Sequence, residues 1–282
     1  MKFRIIAAVV LIVGAYIATI TLYANTGLGR PVALVQGKPA SDGTTVIVAV
    51  TEVHATRGEL VATVTVDPGD ALLDPVTHAL TQDLSVTIDA GATPTLRTWT
   101  KGSTPGAIPV TVDVVGESSD YPFDQYSSGP IAVETAVGDS RAPTRVSPWF
   151  LDETPGWTVA VQPVADDAAS AVYRVDLRRA VSTAAIVTIV FAALVTIAVL
   201  GVVVSVQTAR DKRKFQPPMT TWFAAMLFAV IPLRNALPDA PPIGAWVDVA
   251  VVLWVIVALV GSMALYIVSW WRHLNPTFDK VK

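Results

Sequence analysis

Residues 173–214 read YRVDLRRAVSTAAIVTIVFAALVTIAVLGVVVSVQTARDKRK, and they decide the fold. Tyr173, Val175 and Leu177 alternate with Arg174 and Asp176, the period-two pattern of a half-buried strand. No glycine- or proline-rich break follows. The chain passes through Arg178-Arg179 straight into the apolar run 181–207, and a helix needs about 20 such residues to cross a bilayer. Arg210, Lys212, Arg213 and Lys214 end the run. A β-domain coupled rigidly to a membrane helix is expected, with the basic cluster on the cytoplasmic side.

Three further apolar stretches surround this one: about 5–24, 218–236 and 245–271. Lys2 and Arg4 precede the first, and Arg272, Lys280 and Lys282 follow the last. Threading the spans in order puts all three basic clusters in one compartment, the cytoplasm by the positive-inside bias. Trp222, Trp246, Trp270 and Trp271 fall near span ends, where interfacial anchors belong. The first stretch is longer than a usual signal core, and Leu22-Tyr23-Ala24 is a poor cleavage site, so an uncleaved anchor is expected.

Between the first and second stretches the pattern changes. Val46, Val48, Val50; Leu60, Ala62, Val64, Val66; Leu84, Val86, Ile88; Val110, Val112, Val114; Ile131, Val133, Val137; and Trp157, Val159, Val161 all alternate. The breaks are turn-forming: Asp67-Pro68-Gly69-Asp70, Ala90-Gly91, Lys101-Gly102 and Pro155-Gly156. Seven to nine strands at this spacing, with no amphipathic helix among them, predict an antiparallel β-sandwich. The expected architecture is an integral membrane protein whose antiparallel β-sandwich ectodomain is inserted between one N-terminal and three C-terminal transmembrane α-helices. Its parts are an N-terminal transmembrane helix (1–24), a tether with one short strand (25–43), the extracytoplasmic sandwich (44–180), a three-helix bundle (181–271) and a cytoplasmic tail (272–282).

Charge and composition narrow the function. Residues 25–180 hold ten Lys/Arg against nineteen Asp/Glu, while the rest of the chain is net positive. An acidic ectodomain argues against nucleic acid as a partner, since nucleic acid demands a basic footprint. The chain has no cysteine, which removes disulfides, thiolate nucleophiles and Cys-based metal sites. No Asn-x-Ser/Thr acceptor with a non-proline middle residue occurs, which favours a bacterial over a eukaryotic secretory origin.

Three constellations are candidate sites. Arg234 and Asp248 flank a proline-rich turn (Pro238, Pro241, Pro242), so a helical hairpin would bring them together as an interfacial ion pair. An unpaired charge inside a span costs about 2.5–3.5 kcal/mol on insertion scales. The second is a docking loop, Tyr121, Pro122, Phe123, Asp124 and Tyr126, in which proline and flanking aromatics stiffen the turn and Asp124 is expected to bond local backbone amides. The third is an aromatic contact for ligand or lipid made of Trp149, Phe150 and Trp157, whose alternative is a place in the core. His54 and His78 are the histidines of the expected ectodomain; nothing in their spacing selects a metal or a serine nucleophile.

With these residues in hand, the chain resembles a family of four-pass membrane proteins of unknown function, found mostly in actinobacteria. The matching residues are Tyr121-Pro122-Phe123-Asp124-Gln125-Tyr126 together with Arg234-Asn235-Ala236-Leu237-Pro238, Pro241-Pro242-Ile243-Gly244 and Asp248. The resemblance implies an envelope location and no particular activity. More distantly, Pro122-Phe123-Asp124-Gln125 and Arg178-Arg179 resemble the Phe-Pro-Phe-Asp loop and basic strand end of pentameric ligand-gated channels. The chain departs from these by its extra N-terminal span and its three spans after the ectodomain.

The expected role is therefore a non-enzymatic, multi-pass protein of the plasma membrane whose acidic ectodomain binds a partner or ligand. Its partners would be the lipid bilayer and an envelope protein or a second copy of itself, with no cofactor. A transport or channel component using Arg234 and Asp248 is the alternative, and a membrane-tethered hydrolase using His54 or His78 is the least favoured.

Overall fold

The computed structural model describes residues 10, 13–21, 24, 31–91, 94–138, 143–164, 171–210 and 218–274. These form two compact units. One is β-rich and comprises Pro122–Thr183 with the described part of Met1–Ser118; the other is helical and comprises Ser119–Tyr121 with the described part of Ala184–Lys282.

In the β-rich unit one sheet runs in the order β1 (Val32–Val35), β10 (Trp149–Asp152), β2 (Thr45–His54), β3 (Glu59–Asp67) and β6 (Ile108–Gly116). Strand β6 belongs to both sheets, pairing with β3 over its first part and with β7 (Gln125–Ser128) at Val114–Gly116. From β7 the second sheet continues through β12 (Val172–Arg179), β8 (Ile131–Val137), β4 (Leu84–Asp89) and β5 (Thr95–Trp99). Strand β11 (Trp157–Pro163) lies along β12, and the short β9 (Thr144–Arg145) along β8.

The alternating residues fill one apolar core shared by both sheets, including Val48, Leu60, Val64, Leu84, Val133 and Leu177. Each run of alternation in the sequence forms a strand here. In β2 the register shifts between Val50 and Glu52, so the inward phase passes from Val46, Val48 and Val50 to Val53. A bulge of this kind inserts one residue and reverses which neighbours face the core.

One expectation changes. The sheet is mixed rather than antiparallel, because β10 runs parallel to β2, with Trp149 opposite Ile47 and Asp152 opposite Val50. Side-chain alternation reports which face is buried and carries no information on the direction of the neighbouring strand. The segment expected as a tether with one short strand contains β1, which pairs with β10, and Lys38, which forms an isolated bridge with Ser147.

The helical unit contains α1 (Val181–Ala209), α2 (Pro218–Asn235) and α3 (Leu253–Leu274), the last entered through a π-helical turn at Asp248–Val252. Leu194, Ala198, Val230, Val252, Val255 and Leu259 form its main core. Gly201 permits the close approach of the helices, since a Cβ there would stand 3.1 Å from Leu259 and 3.3 Å from the Phe223 ring. Four residues on, the Ser205 hydroxyl donates to the Ser262 carbonyl at 2.7 Å, a bond between helices that needs such an approach.

Among the described residues two helices are long and apolar enough to cross a membrane, Val181–Ala209 and Asp248–Arg272. Helix α2, with 18 residues and Pro232 inside it, is not among them. Residues 10, 13–21 and 24 are helical, and the rest of the expected first span lies outside the described residues. Of the four expected spans, the described residues thus supply two by length and composition.

Candidate functional site

The chemistry in the described residues concentrates at two arginine–aspartate pairs, one in each unit. The first closes the end of β12. Arg179 Nε donates to both oxygens of Asp124, at 3.0 and 3.2 Å, and Nη2 donates to Oδ2 at 3.2 Å. Both side chains are almost wholly buried, at 2% and 1% exposure. Arginine suits the place because its planar fork matches a carboxylate and its face stacks on rings. Here the guanidinium carbon lies 4.2 Å from the centre of the Trp157 ring, which stands opposite Arg179 in the β11–β12 ladder. Tyr126 packs edge-on to Trp157 at 5.7 Å. Burial and the neighbouring Asp124 charge push the Tyr126 hydroxyl pKa above its ordinary 10.0. Gly116 faces Tyr126 from β6, and any side chain there would overlap that ring and the Gln125 carbonyl.

The strand passes into α1 one residue later. Both the Ala180 amide (2.9 Å) and the Thr183 hydroxyl (2.8 Å) donate to the Gly156 carbonyl, in the Pro155-Gly156 turn, where Gly156 takes a φ of +81°. The helix start is therefore fixed by the same turn that launches β11.

The second pair sits in the helical unit. Arg234 Nε bonds Asp248 Oδ1 at 2.9 Å, and Nη2 bonds Oδ2 at 2.7 Å; Nη2 also reaches the carbonyls of Pro241 (2.9 Å) and Pro242 (3.2 Å). Asp248 Oδ2 further accepts the Gly244 amide at 2.9 Å. The guanidinium and carboxylate together tie down the turn between α2 and α3. Tyr121 joins this unit: it is buried against Val187, Leu237, Ala245 and Val247, and its hydroxyl donates to the Pro238 carbonyl at 2.9 Å.

The Tyr121–Tyr126 segment is thus divided between the two clusters. Tyr121 is buried in the helical unit, Asp124 and Tyr126 in the β-rich unit, and Phe123 is 76% exposed. Asp124, expected to bond local amides, instead reaches Arg179, 55 residues away. Arg179 was visible in the sequence only as part of a basic strand end. Of the candidate aromatic contact, Phe150 and Trp157 are core residues, Phe150 lying 5.1 Å from Tyr173, and Trp149 is half-buried. Neither Phe150 nor Trp157 has a surface to offer a ligand, because β10 and β11 each present one face to the sheet interior.

His54 ends β2 and is 3.4 Å from Glu52. His78 follows an Asx turn in which Asp74 accepts from the Val76 and Thr77 amides and the Thr77 hydroxyl. Those bonds hold the Asp74 carboxyl below its usual range, the Thr77 amide contributing most. No group of three or more metal-ligating side chains occurs among the described residues.

The geometry defines a class: a mixed β-sheet domain joined without a linker to apolar helices, each part holding one internal arginine–carboxylate pair. Residues 34–177, just over half of the chain, match the family described as a domain of unknown function, DUF4436. The chain belongs to that family. Residues 179–273 match a second domain of unknown function, DUF8686, so the boundary between the two falls at the end of β12. A search of curated proteins gave no match.

Proposed function

We propose that the chain is a multi-pass membrane protein of the cell envelope whose acidic β-domain stands outside the cytoplasm and binds a protein partner or ligand without catalysis. The observation that carries this reading is the passage from β12 into α1 through the single residue Ala180. A tethered enzyme domain works as well on a loose linker, whereas a strand that runs unbroken into a membrane helix hands the state of the domain to the helix. The Asp124–Arg179 pair and the Gly156 carbonyl pin both sides of that passage. With α2 taken as a third, short span after the β-domain, the basic clusters set the topology: termini inside, residues 25–180 outside.

The binding surface would draw on the exposed acidic residues of the domain, among them Glu52, Asp67, Asp89, Asp113 and Glu117. An acidic surface favours a basic partner and speeds its encounter. The transport alternative receives less support, because the donors and acceptors of Arg234 and Asp248 serve the hairpin that holds them.

The test is crosslinking in intact cells from photoreactive residues placed at Asp89 and Asp113, followed by purification in detergent and mass spectrometry. A discrete partner, or a second copy, that is lost when the acidic residues are replaced by lysine is the expected result. Recovery of the uncrosslinked monomer alone contradicts the reading.

A further inference from the structure

The turn between α2 and α3 combines two properties that a water-facing turn has no reason to combine. It presents large apolar side chains outward, Ile243 at 94% exposure and Trp246 at 66%. At the same time several of its backbone polar groups are occupied from within. Pro238, Pro241 and Pro242 have no N–H to satisfy, and their carbonyls accept from the Tyr121 hydroxyl and from Arg234. The Gly244 amide donates to Asp248 and the Ala245 amide to the Pro242 carbonyl. The one buried cation and its carboxylate neutralise each other inside the turn.

Water would solvate free carbonyls and amides at no cost, so internal pairing gains little at a wet surface. In lipid each unpaired group costs several kcal/mol, and internal pairing becomes the condition for being there at all. The exposed apolar surface also does not stop at the turn. It continues along the helix through Val249, Leu253 and Val257. A tryptophan at the end of such a surface fits the headgroup level, where its ring is greasy and its N–H is wet.

The geometry points to a lipid-contact site: the turn formed by Pro242, Ile243 and Trp246 is seated at the boundary between headgroups and acyl chains of a phospholipid bilayer. This rests on the membrane reading above. It adds that the turn is immersed rather than projecting into water, and that the Arg234–Asp248 pair serves to make immersion possible.

The chain has no cysteine, so single-cysteine labelling needs no background removal. The full-length protein is reconstituted in phosphatidylcholine–phosphatidylglycerol vesicles, with an environment-sensitive fluorophore at Ile243→Cys, at Val257→Cys or at Lys101→Cys. Vesicles contain lipids carrying a spin-label quencher near the headgroup or near the chain end. The expected result is blue-shifted emission from position 243 with strongest quenching by the shallow label. Position 257 is quenched best by the deep label, and position 101 by neither. Unquenched, red emission at 243 with quenching retained at 257 overturns the lipid-contact site and leaves the membrane reading standing. Loss of quenching at both positions overturns the membrane reading itself.

Discussion

Both units close on an arginine paired through two nitrogens to an aspartate, yet the two pairs live in different surroundings. Asp124–Arg179 is sealed at 1–2% exposure, and the carboxylate receives the guanidinium while an indole covers its partner. Arg234–Asp248 is less enclosed, at 7% and 15%, but is bonded to two carbonyls and an amide. The first pair joins two segments 55 residues apart in the chain. The second ties a short local turn that has prolines and its own backbone bonds to hold its shape. Buried charge pairs contribute modestly when intact and are destructive when halved, in proportion to their isolation from water.

That difference can be broken experimentally, and the sharpest cut is Asp124→Ala. It removes the carboxylate that Arg179 bonds through two nitrogens, so it should cost about 3–5 kcal/mol of stability. Thermal unfolding of the detergent-solubilised protein, or the onset of proteolysis within β7, reads this out. A loss under 1 kcal/mol would show that water reaches Arg179 and that the junction is not sealed. Asp248→Ala should cost less, about 1.5–3 kcal/mol, the worth of hydrogen bonds to a charged group, because the Pro241 and Pro242 carbonyls still receive Arg234. An equal or larger loss than for Asp124→Ala would invert the comparison.

Tyr121→Phe removes one hydroxyl from the Pro238 carbonyl and leaves the ring packed. A loss of about 0.5–1.5 kcal/mol is expected, with no change in expression. No measurable change would mean that water replaces the hydroxyl.

The smallest effect is a pH dependence. The Tyr126 pKa is raised in the folded state, above its ordinary 10.0, so the native protein holds its proton where the unfolded chain releases it. The corresponding stability is fully present below pH 10 and is lost as pH rises beyond that. Tyr126→Phe should flatten the alkaline limb of the stability profile, and an unchanged limb would assign it to other groups.

The sequence carried the strands better than their arrangement. Alternation located β2, β3, β4, β6, β8, β11 and β12, because a buried face leaves its period in the chain. It missed β5, β7, β9 and β10, which are too short or too polar to show one, and it could not show that β10 runs parallel to β2. The Arg234–Asp248 pair was legible, since two helices joined by a short proline turn must bring their ends together. Asp124–Arg179 was not: its members are 55 residues apart, and only the paired β12 and β7 strands, with Arg178 opposite Gln125, create the meeting. The same reason hid the burial of Phe150 and Trp157. Which face of a short aromatic strand is covered depends on strands elsewhere in the chain.

The central claim is that the β-domain and the chain end lie on opposite sides of a membrane. A membrane-impermeant maleimide, applied to intact cells expressing Lys101→Cys or Lys282→Cys in this cysteine-free chain, tests it directly. The account predicts labelling at position 101 from outside and at position 282 only after permeabilisation. Labelling of both positions in intact cells, or of neither, would contradict it.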